Sequence, residues 1–552
     1  MGEPLFKPFR ALGYITDPVP FAVKRQGKET FVTVSVGKTF QVYNCNKLLL
    51  AVVGPQLEGN IRALATKNDY TYAAVNCDII ECKRVHKSGT YSGGHESPII
   101  QLLTLGDFLL SLDVSGRLCV WDDHSYSAPH SIHDIVLSPP SSSAAPNSSL
   151  MKATCMVHPD TYVNKILVGF EDGRMVLLNF VSGKQLFIFP SWNSPIRCLA
   201  ASPALDIVAV GLADGRAILH NVKLDEQVLC FENAGGSGLG AGGKGFNDRS
   251  AAGGAVTAIS FSTGAGAPVL AVGGAAGAVT VWSLENRRLQ TVLTDAHDRA
   301  VTTLHFFAGQ PLLMSAGADN AVKHWAFDTA DGAGRLIRFR SGHAEPPSCL
   351  THYGPGGLRL LSAGCDRTFR VFSTIQDQQS RELSQKNLER RARHLGIHQA
   401  ALRLPPVRAV DSCDVRERDW CNVLTAHEGD TRAFTWRLAN FVMGEAALTP
   451  PPEVLAGQKA APVTAVALSR CGNYGLVGTA SGRIDRYNMQ SGQHRGAYYL
   501  DIVTNNSPTT SSSALAKKKR EEEVKETLRK KKKLPPGLPP NAAALQALAK
   551  GG

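Results

Sequence analysis

Three side chains in the 552-residue sequence have the composition of a nucleophilic site: His297, Ser315 and Asp319, followed by Trp325. In a hydrolase such a histidine takes the hydroxyl proton while the carboxylate orients the ring. A second set, His343, Ser362 and Asp366, ends in Phe372 where the first has its indole. Both sets follow the spacing of a longer internal repeat, so a buried hydrogen-bond network fits them better than catalysis. Cys77 and Cys82 form a C-x4-C pair with no second Cys/His pair at zinc-finger spacing, so no metal site is expected. The glycine-rich stretch 235–245 lacks the Gly-Lys-Ser/Thr ending of a phosphate-cradling loop and reads as a linker, so no cofactor is expected. Arg174, Arg216 and Arg483 are turn residues that could touch phosphate. Two basic runs stand near the end: Lys517, Lys518, Lys519 and Arg520, then Arg529, Lys530, Lys531, Lys532 and Lys533. They suit nuclear import or phosphate contact, and the plainer reading is a solvated charged end.

Composition narrows the background. Hydrophobic residues make up 43% of the chain and charged residues 19%, enough to fold, while 52 Gly and 30 Pro promise many turns. The 12 cysteines are scattered, residues 1–10 carry no apolar signal segment, and every hydrophobic run is interrupted well short of a membrane span. A soluble, intracellular protein is expected. Of the net charge of +12, half comes from residues 517–533, which hold ten Lys/Arg against four Glu. The remainder is too mild for a dedicated nucleic-acid reader, so any RNA contact is expected to be local.

The elements that must position these side chains emerge from a repeated pattern. An apolar strand ends in small residues, a tight polar turn follows, and a second strand ends in an aromatic or polar residue. It occurs at residues 109–121 (LLSLDVSGRLCVW), 165–179, 207–221, 268–282, 312–325 (LLMSAGADNAVKHW), 359–372 and 474–487. Gly173 and Gly215 are 42 residues apart, and Gly277 and Asn320 are 43 apart, within the ~40–45 residue period of WD repeats. Longer steps contain inserts of biased composition at 138–149 and 234–254, which read as flexible loops. A four-stranded blade has two apolar faces that it cannot bury alone, so blades must stack around an axis. The fold class is therefore all-β, a WD-repeat β-propeller.

About ten units start near Phe31, Ile61, Ile99, Ala153, Ile196, Val256, Val301, Cys349, Val407 and Val463, too many for one ring of roughly four to eight blades. A tandem arrangement follows, with a complete first ring and an incomplete second. The expected domains are a seven-bladed first propeller with an N-terminal strand over 1–375, its end falling between 340 and 405. A linker or insert over 376–405, a partial second propeller over 406–499 and a disordered basic tail over 500–552 complete the chain.

Individual segments go beyond the generic repeat. PFRALGY (8–14), VGKTFQVY (36–43), QDQQSRELSQ (376–385), RDWCNVLTAHEGDTRAFTW (418–436) and the segment 463–496 ending in YNMQSGQHRG stand in family order. Together they resemble the U3 small nucleolar RNA-associated protein twenty-one family, the WD-repeat protein thirty-six family of animals. The resemblance spans residues 8 to about 497. It implies two tandem propellers in the small-subunit processome, the nucleolar particle that binds U3 RNA and matures pre-rRNA. The implied role is a non-enzymatic scaffold in the nucleus and nucleolus. Its implied partners are other processome WD-repeat proteins and, directly or indirectly, U3 small nucleolar RNA and pre-rRNA, with no membrane and no small-molecule substrate. A generic adaptor, such as a ubiquitin-ligase substrate receptor or trafficking scaffold, is the alternative. A propeller enzyme would need acid, base or metal groups converging on the central channel, and the sequence presents none. Two departures stand out. Family members continue after HRG with more blades, whereas this chain turns after Tyr499 into Ser/Thr-rich, Lys/Glu-rich and Pro/Ala-rich sequence. Lys386 occupies the place of a family glycine after ELSQ, which is expected to alter the local turn.

Overall fold

Strand Phe108–Asp113 shows how one blade is made. Successive side chains of a strand point to opposite faces. Leu110 and Leu112 accordingly enter the core shared with the following sheet, while Leu109 enters the core shared with the preceding one. Ser111, on the same face as Leu109, is left among polar partners.

The computed structural model describes residues 10–122, 126, 128–135, 152–232, 234–235, 254–263, 268–329, 332–395, 397, 399–452 and 460–499. These form ten four-stranded antiparallel sheets, each a simple meander in chain order. The seven repeats read from the sequence supply the second and third strands of seven of them. The first sheet starts earlier than Phe31, which lies in its second strand, Glu29–Val36. Its first strand, Ala22–Gln26, has the sequence AVKRQ, too short and polar to show an apolar alternation.

Apolar clusters between sheets define the architecture. Among the described residues, sheets one to seven have seven such cores, and the seventh joins Met314, Ala316 and Val322 of the last sheet to Val32, Val34 and Tyr43 of the first. As many cores as sheets means a closed ring. Sheets eight to ten have two, one around Phe369 and Trp436 and one around Leu424 and Tyr487, which is the count of an open arc.

The ring of seven ends with the strand Arg335–Ser341, and the next strand, Pro347–Tyr353, opens the eighth sheet. The eighth sheet lies within the 1–375 span expected for the first propeller, yet its apolar face packs on the ninth. Similar repeats mark neighbours in sequence and cannot distinguish a neighbour in the ring from a mere neighbour in the chain. Within 376–405, Arg381–Glu382 is the outer strand of the eighth sheet and Leu388–Leu395 is a short helix.

Asn320 ties the parts together. It occupies the turn position held by Gly173, Gly215 and Gly277 in other sheets and keeps their left-handed backbone (φ 58°). Its side-chain oxygen accepts from the backbone N–H groups of Ile15 (2.7 Å) and Thr16 (3.1 Å), and its amide donates to the carbonyls of Gly13 (3.0 Å) and His343 (2.9 Å). One side chain thus holds the N-terminal segment to the seventh sheet and to the start of the eighth.

Two predictions follow from local backbone. Ala234 is fully buried and its carbonyl accepts from Thr280 Oγ1, while Gly235 packs directly on Gly254. The two ends of the glycine-rich insert are therefore already in contact. Deleting residues 236–253 should leave the melting temperature unchanged or slightly raised, since closing a shorter loop costs less by a few tenths of a kcal/mol up to about 1. A large drop on thermal unfolding would show that the insert packs on a blade. Lys386 and Asn387 both adopt left-handed backbone (φ 53° and 50°), a region that costs a side-chain-bearing residue about 1 kcal/mol and glycine little. Lys386→Gly should raise stability by up to about 1 kcal/mol in chemical denaturation.

Candidate functional site

His297 precedes the seventh sheet's first strand, Asp319 sits in the turn between its second and third strands, and Ser315 and Trp325 come from those two strands. His297 Nε2 lies 2.8 Å from Ser315 Oγ, and His297 Nδ1 lies 2.9 Å from Asp319 Oδ1. Trp325 Nε1–H donates to the same Ser315 oxygen at 2.9 Å. The serine oxygen thus already accepts from an indole, and Ser315 and His297 are 0% and 1% exposed. Neither offers a reacting atom to a molecule in solution.

The eighth sheet places His343 2.9 Å from Ser362 and 3.2 Å from Asp366. In place of an indole it has Thr368, whose hydroxyl lies 3.0 Å from His343 and 2.8 Å from Asp366, and the Phe372 ring edge-on to the imidazole. A third network escaped the sequence reading: His95 Nε2 lies 2.6 Å from Ser111, its Nδ1 lies 3.1 Å from Asp113, and Trp121 donates to Ser111 at 2.8 Å. The available signal was the ten-residue Ser-to-Trp step, identical in the third and seventh sheets. It was obscured because Asp113 ends its strand while Asp319 sits in the turn. In the ninth sheet, Trp436 donates to Thr425 at 2.8 Å, and Thr425 lies 3.1 Å from His427 on its own strand.

Burial alone would raise the carboxyls of Asp113, Asp319 and Asp366. Hydrogen bonds from the facing histidines, backbone N–H groups and, in Asp113 and Asp366, neighbouring hydroxyls outweigh it and hold all three below the usual carboxylate range.

The first ring encloses a channel of about 330 Å³ lined by the inner strands. Among its lining residues Arg197 alone is charged, and Gln101 spends its amide on the Met156 backbone, donating to the carbonyl at 2.8 Å and accepting from N–H at 2.7 Å. No group of three or more metal-ligating side chains occurs among the described residues. All 12 cysteines are free, with Cys77 half-buried and Cys82 buried. No helix among the described residues is long and apolar enough to cross a membrane. Of the turn arginines, Arg174 pairs with Asp172, Arg216 pairs with Asp214 at 2.7 Å, and Arg483 is buried against Asp485. The basic residues Lys517, Lys518, Lys519, Arg520 and Arg529 to Lys533 lie outside the described residues.

Meander sheets arranged radially, indole-capped histidine networks and two separate sets of cores define a WD-repeat protein with two propeller domains. The family model for the WDR36/Utp21 first beta-propeller matches residues 32–328, and that for the WDR36/Utp21 second beta-propeller domain matches 348–515. The chain belongs to the WDR36/Utp21 family. It is 35% identical over 497 residues to the U3 small nucleolar RNA-associated protein 21 homolog of Schizosaccharomyces pombe, covering 90% of this chain and 51% of that protein. It is 34% identical over 501 residues to WD repeat-containing protein 36 of Homo sapiens, covering 90% and 52%. Against U3 small nucleolar RNA-associated protein 21 of Saccharomyces cerevisiae the identity is 29% over 522 residues, covering 90% and 51%. The chain spans about half the length of each of these relatives.

Asp319→Ala should lower stability by roughly 1–3 kcal/mol, because it strips a buried imidazole of its partner. A carboxylate with a lowered folded pKa contributes stability above its unfolded value, near 4, and loses it as pH falls through the folded value. The fall of melting temperature below about pH 4 should therefore be shallower in Asp319→Asn than in the unaltered protein, as differential scanning fluorimetry across pH would read.

Proposed function

We propose that this chain is a non-enzymatic assembly scaffold of the small-subunit processome, the U3 small nucleolar ribonucleoprotein that supports pre-rRNA processing and small ribosomal subunit biogenesis. The observation that carries this reading is kinship with U3 small nucleolar RNA-associated proteins over 90% of the chain. The chemistry agrees with it. The histidine, serine and aspartate sets serve as struts between strands, since a buried hydroxyl that already accepts from an indole cannot be presented as a nucleophile. Among the described residues that line the channel, one side chain, Arg197, is charged and no acid–base pair occurs. Propeller proteins without such groups work through their rims and loops.

The partners on this reading are other processome WD-repeat proteins, with U3 RNA and pre-rRNA contacted directly or through them, in the nucleolus. The kinship lends no support to a ligase receptor or trafficking scaffold. The basic runs at 517–520 and 529–533 supply import signals or phosphate contacts.

Affinity purification of the tagged chain should recover U3 RNA and processome proteins; recovery of ligase or coat subunits in their place would overturn the reading. A chain ending at Thr510 should keep its β-rich circular dichroism yet accumulate less in the nucleus. Any RNA binding that remains should have a shallower salt dependence, by roughly 0.7–0.9 in slope for each lost phosphate contact. Unchanged accumulation and unchanged slope would leave the tail as a solvated end, with import carried by partners.

A further inference from the structure

Where the seventh and eighth sheets part, they leave a cleft of about 970 Å³. This lies at the upper end of the roughly 300–1,000 Å³ typical of ligand clefts. One wall is the strand Arg335–Ser341, five of whose residues, 337–341, line the cleft in succession. Because consecutive residues of a strand point to opposite faces, a cleft lined by all of them meets the strand edge-on. Among the described residues that edge has no strand partner, since the strand pairs there with Ala321–Ala326 alone. The other walls are the turn at Lys47, the eighth sheet's outer strand and the helix Leu388–Leu395.

Charge is strongly one-sided here. Lys47, Arg338, Arg340, Arg381 and Arg390 line the cleft without a carboxylate partner among the described residues. Arg340 donates instead to the Leu48 carbonyl at 3.0 Å, and Arg381 lies over the Phe441 ring. The one lining carboxylate among the described residues, Glu382, is already paired with Arg370 at 2.7 Å. Beside the cations, Leu336, Ile337 and Phe339 are 40%, 37% and 57% exposed along the same strand.

We propose that this cleft binds an extended acidic segment of a partner protein, added as a fifth strand along Arg335–Ser341. Backbone hydrogen bonds to the open edge would supply affinity, and the cations and apolar side chains would select acidic residues alternating with apolar ones. The chain's own tail is a poor occupant, because residues 517–533 carry ten positive charges against four negative. Single-stranded RNA is disfavoured because such sites interleave cations with accessible rings for stacking. Here Phe339 is exposed, but Tyr43 and Phe372 are buried. The proposal stands apart from the processome reading, since it rests on the cleft alone.

The test uses the full chain and a fluorescent peptide of about nine residues, Asp alternating with Val, the length of a long strand. Anisotropy should show salt-sensitive binding that weakens at least about tenfold in the triple variant Lys47→Glu, Arg338→Glu, Arg390→Glu, all at exposed positions. Ile337 is the extra residue of a bulge opposite His324 and Trp325, where proline is tolerated. Ile337→Pro should abolish binding, and bound peptide should protect the amides of 335–341 from hydrogen exchange. Should that variant melt early, the charge-reversal variant and the exchange measurement still decide. Affinity unchanged by charge reversal overturns the proposal. So does an oligouridylate that binds in place of the peptide and is lost in the triple variant, which would make the cleft a phosphate site.

Discussion

Everything in this protein depends on the two-sidedness of a four-stranded sheet in which nearly every second residue on both faces is apolar. Such a sheet can be covered only by a copy of itself on each side. Seven sheets satisfy this by closing, so that Val32 and Val34 of the first meet Met314 and Ala316 of the last, and no face is left over. Burial of this kind stabilises by about 25 cal/mol per Å² of apolar area, and it is spread evenly around the ring instead of concentrated in one centre. No sheet is dispensable, and no single core residue is decisive. The same spread leaves much of the outer strands exposed, as in Gln185–Phe189 and Arg335–Ser341.

The polar groups follow from the apolar ones. Alternation that sends Leu109 into a core and Leu110 into the next also sends Ser111 inward, where an unpartnered hydroxyl is costly. A histidine from the preceding turn and an indole from the neighbouring strand satisfy it, and an aspartate orients the histidine. The resemblance to a hydrolytic triad is thus an outcome of packing. Where the sequence lacks this set, other pairs meet the same need. Glu81 accepts from Tyr91 and Tyr126 in the second sheet, and Asp485 bonds Arg483 and His494 in the tenth.

Legibility in the sequence tracked this logic. The strand–turn–strand pattern was readable because its turns demand left-handed backbone, filled by Gly116, Gly173, Gly215, Gly277 and Gly482 and by Asn320 and Arg367. The networks at His297 and His343 were readable for the same periodic reason. The network at His95 was not, since Asp113 does the work of a turn aspartate from the end of a strand. Nor was the start of the first sheet, because AVKRQ carries no alternation. Where between 340 and 405 the two propellers part was not readable. Pattern records what each sheet is, and only the packing of Phe369 on Trp436 records which sheet it chose as neighbour.

At that parting the repeat logic fails, and the residues there are correspondingly irregular. Sheets seven and eight share no apolar core among the described residues, so what holds them is polar and specific. Asn320 bonds His343, Arg370 bonds Ser341, Arg299 pairs with Glu345 and Arg403 pairs with Asp298. Exposed pairs of this kind contribute little stability each, roughly 0–1 kcal/mol, but they fix direction. A junction held by hydrogen bonds instead of a core leaves a gap, and the outer edge of Arg335–Ser341 and the cations around it face that space. Unlike the interfaces sealed by apolar cores within the ring, this asymmetric joint is a place where recognition of a distinct partner is physically easy to build.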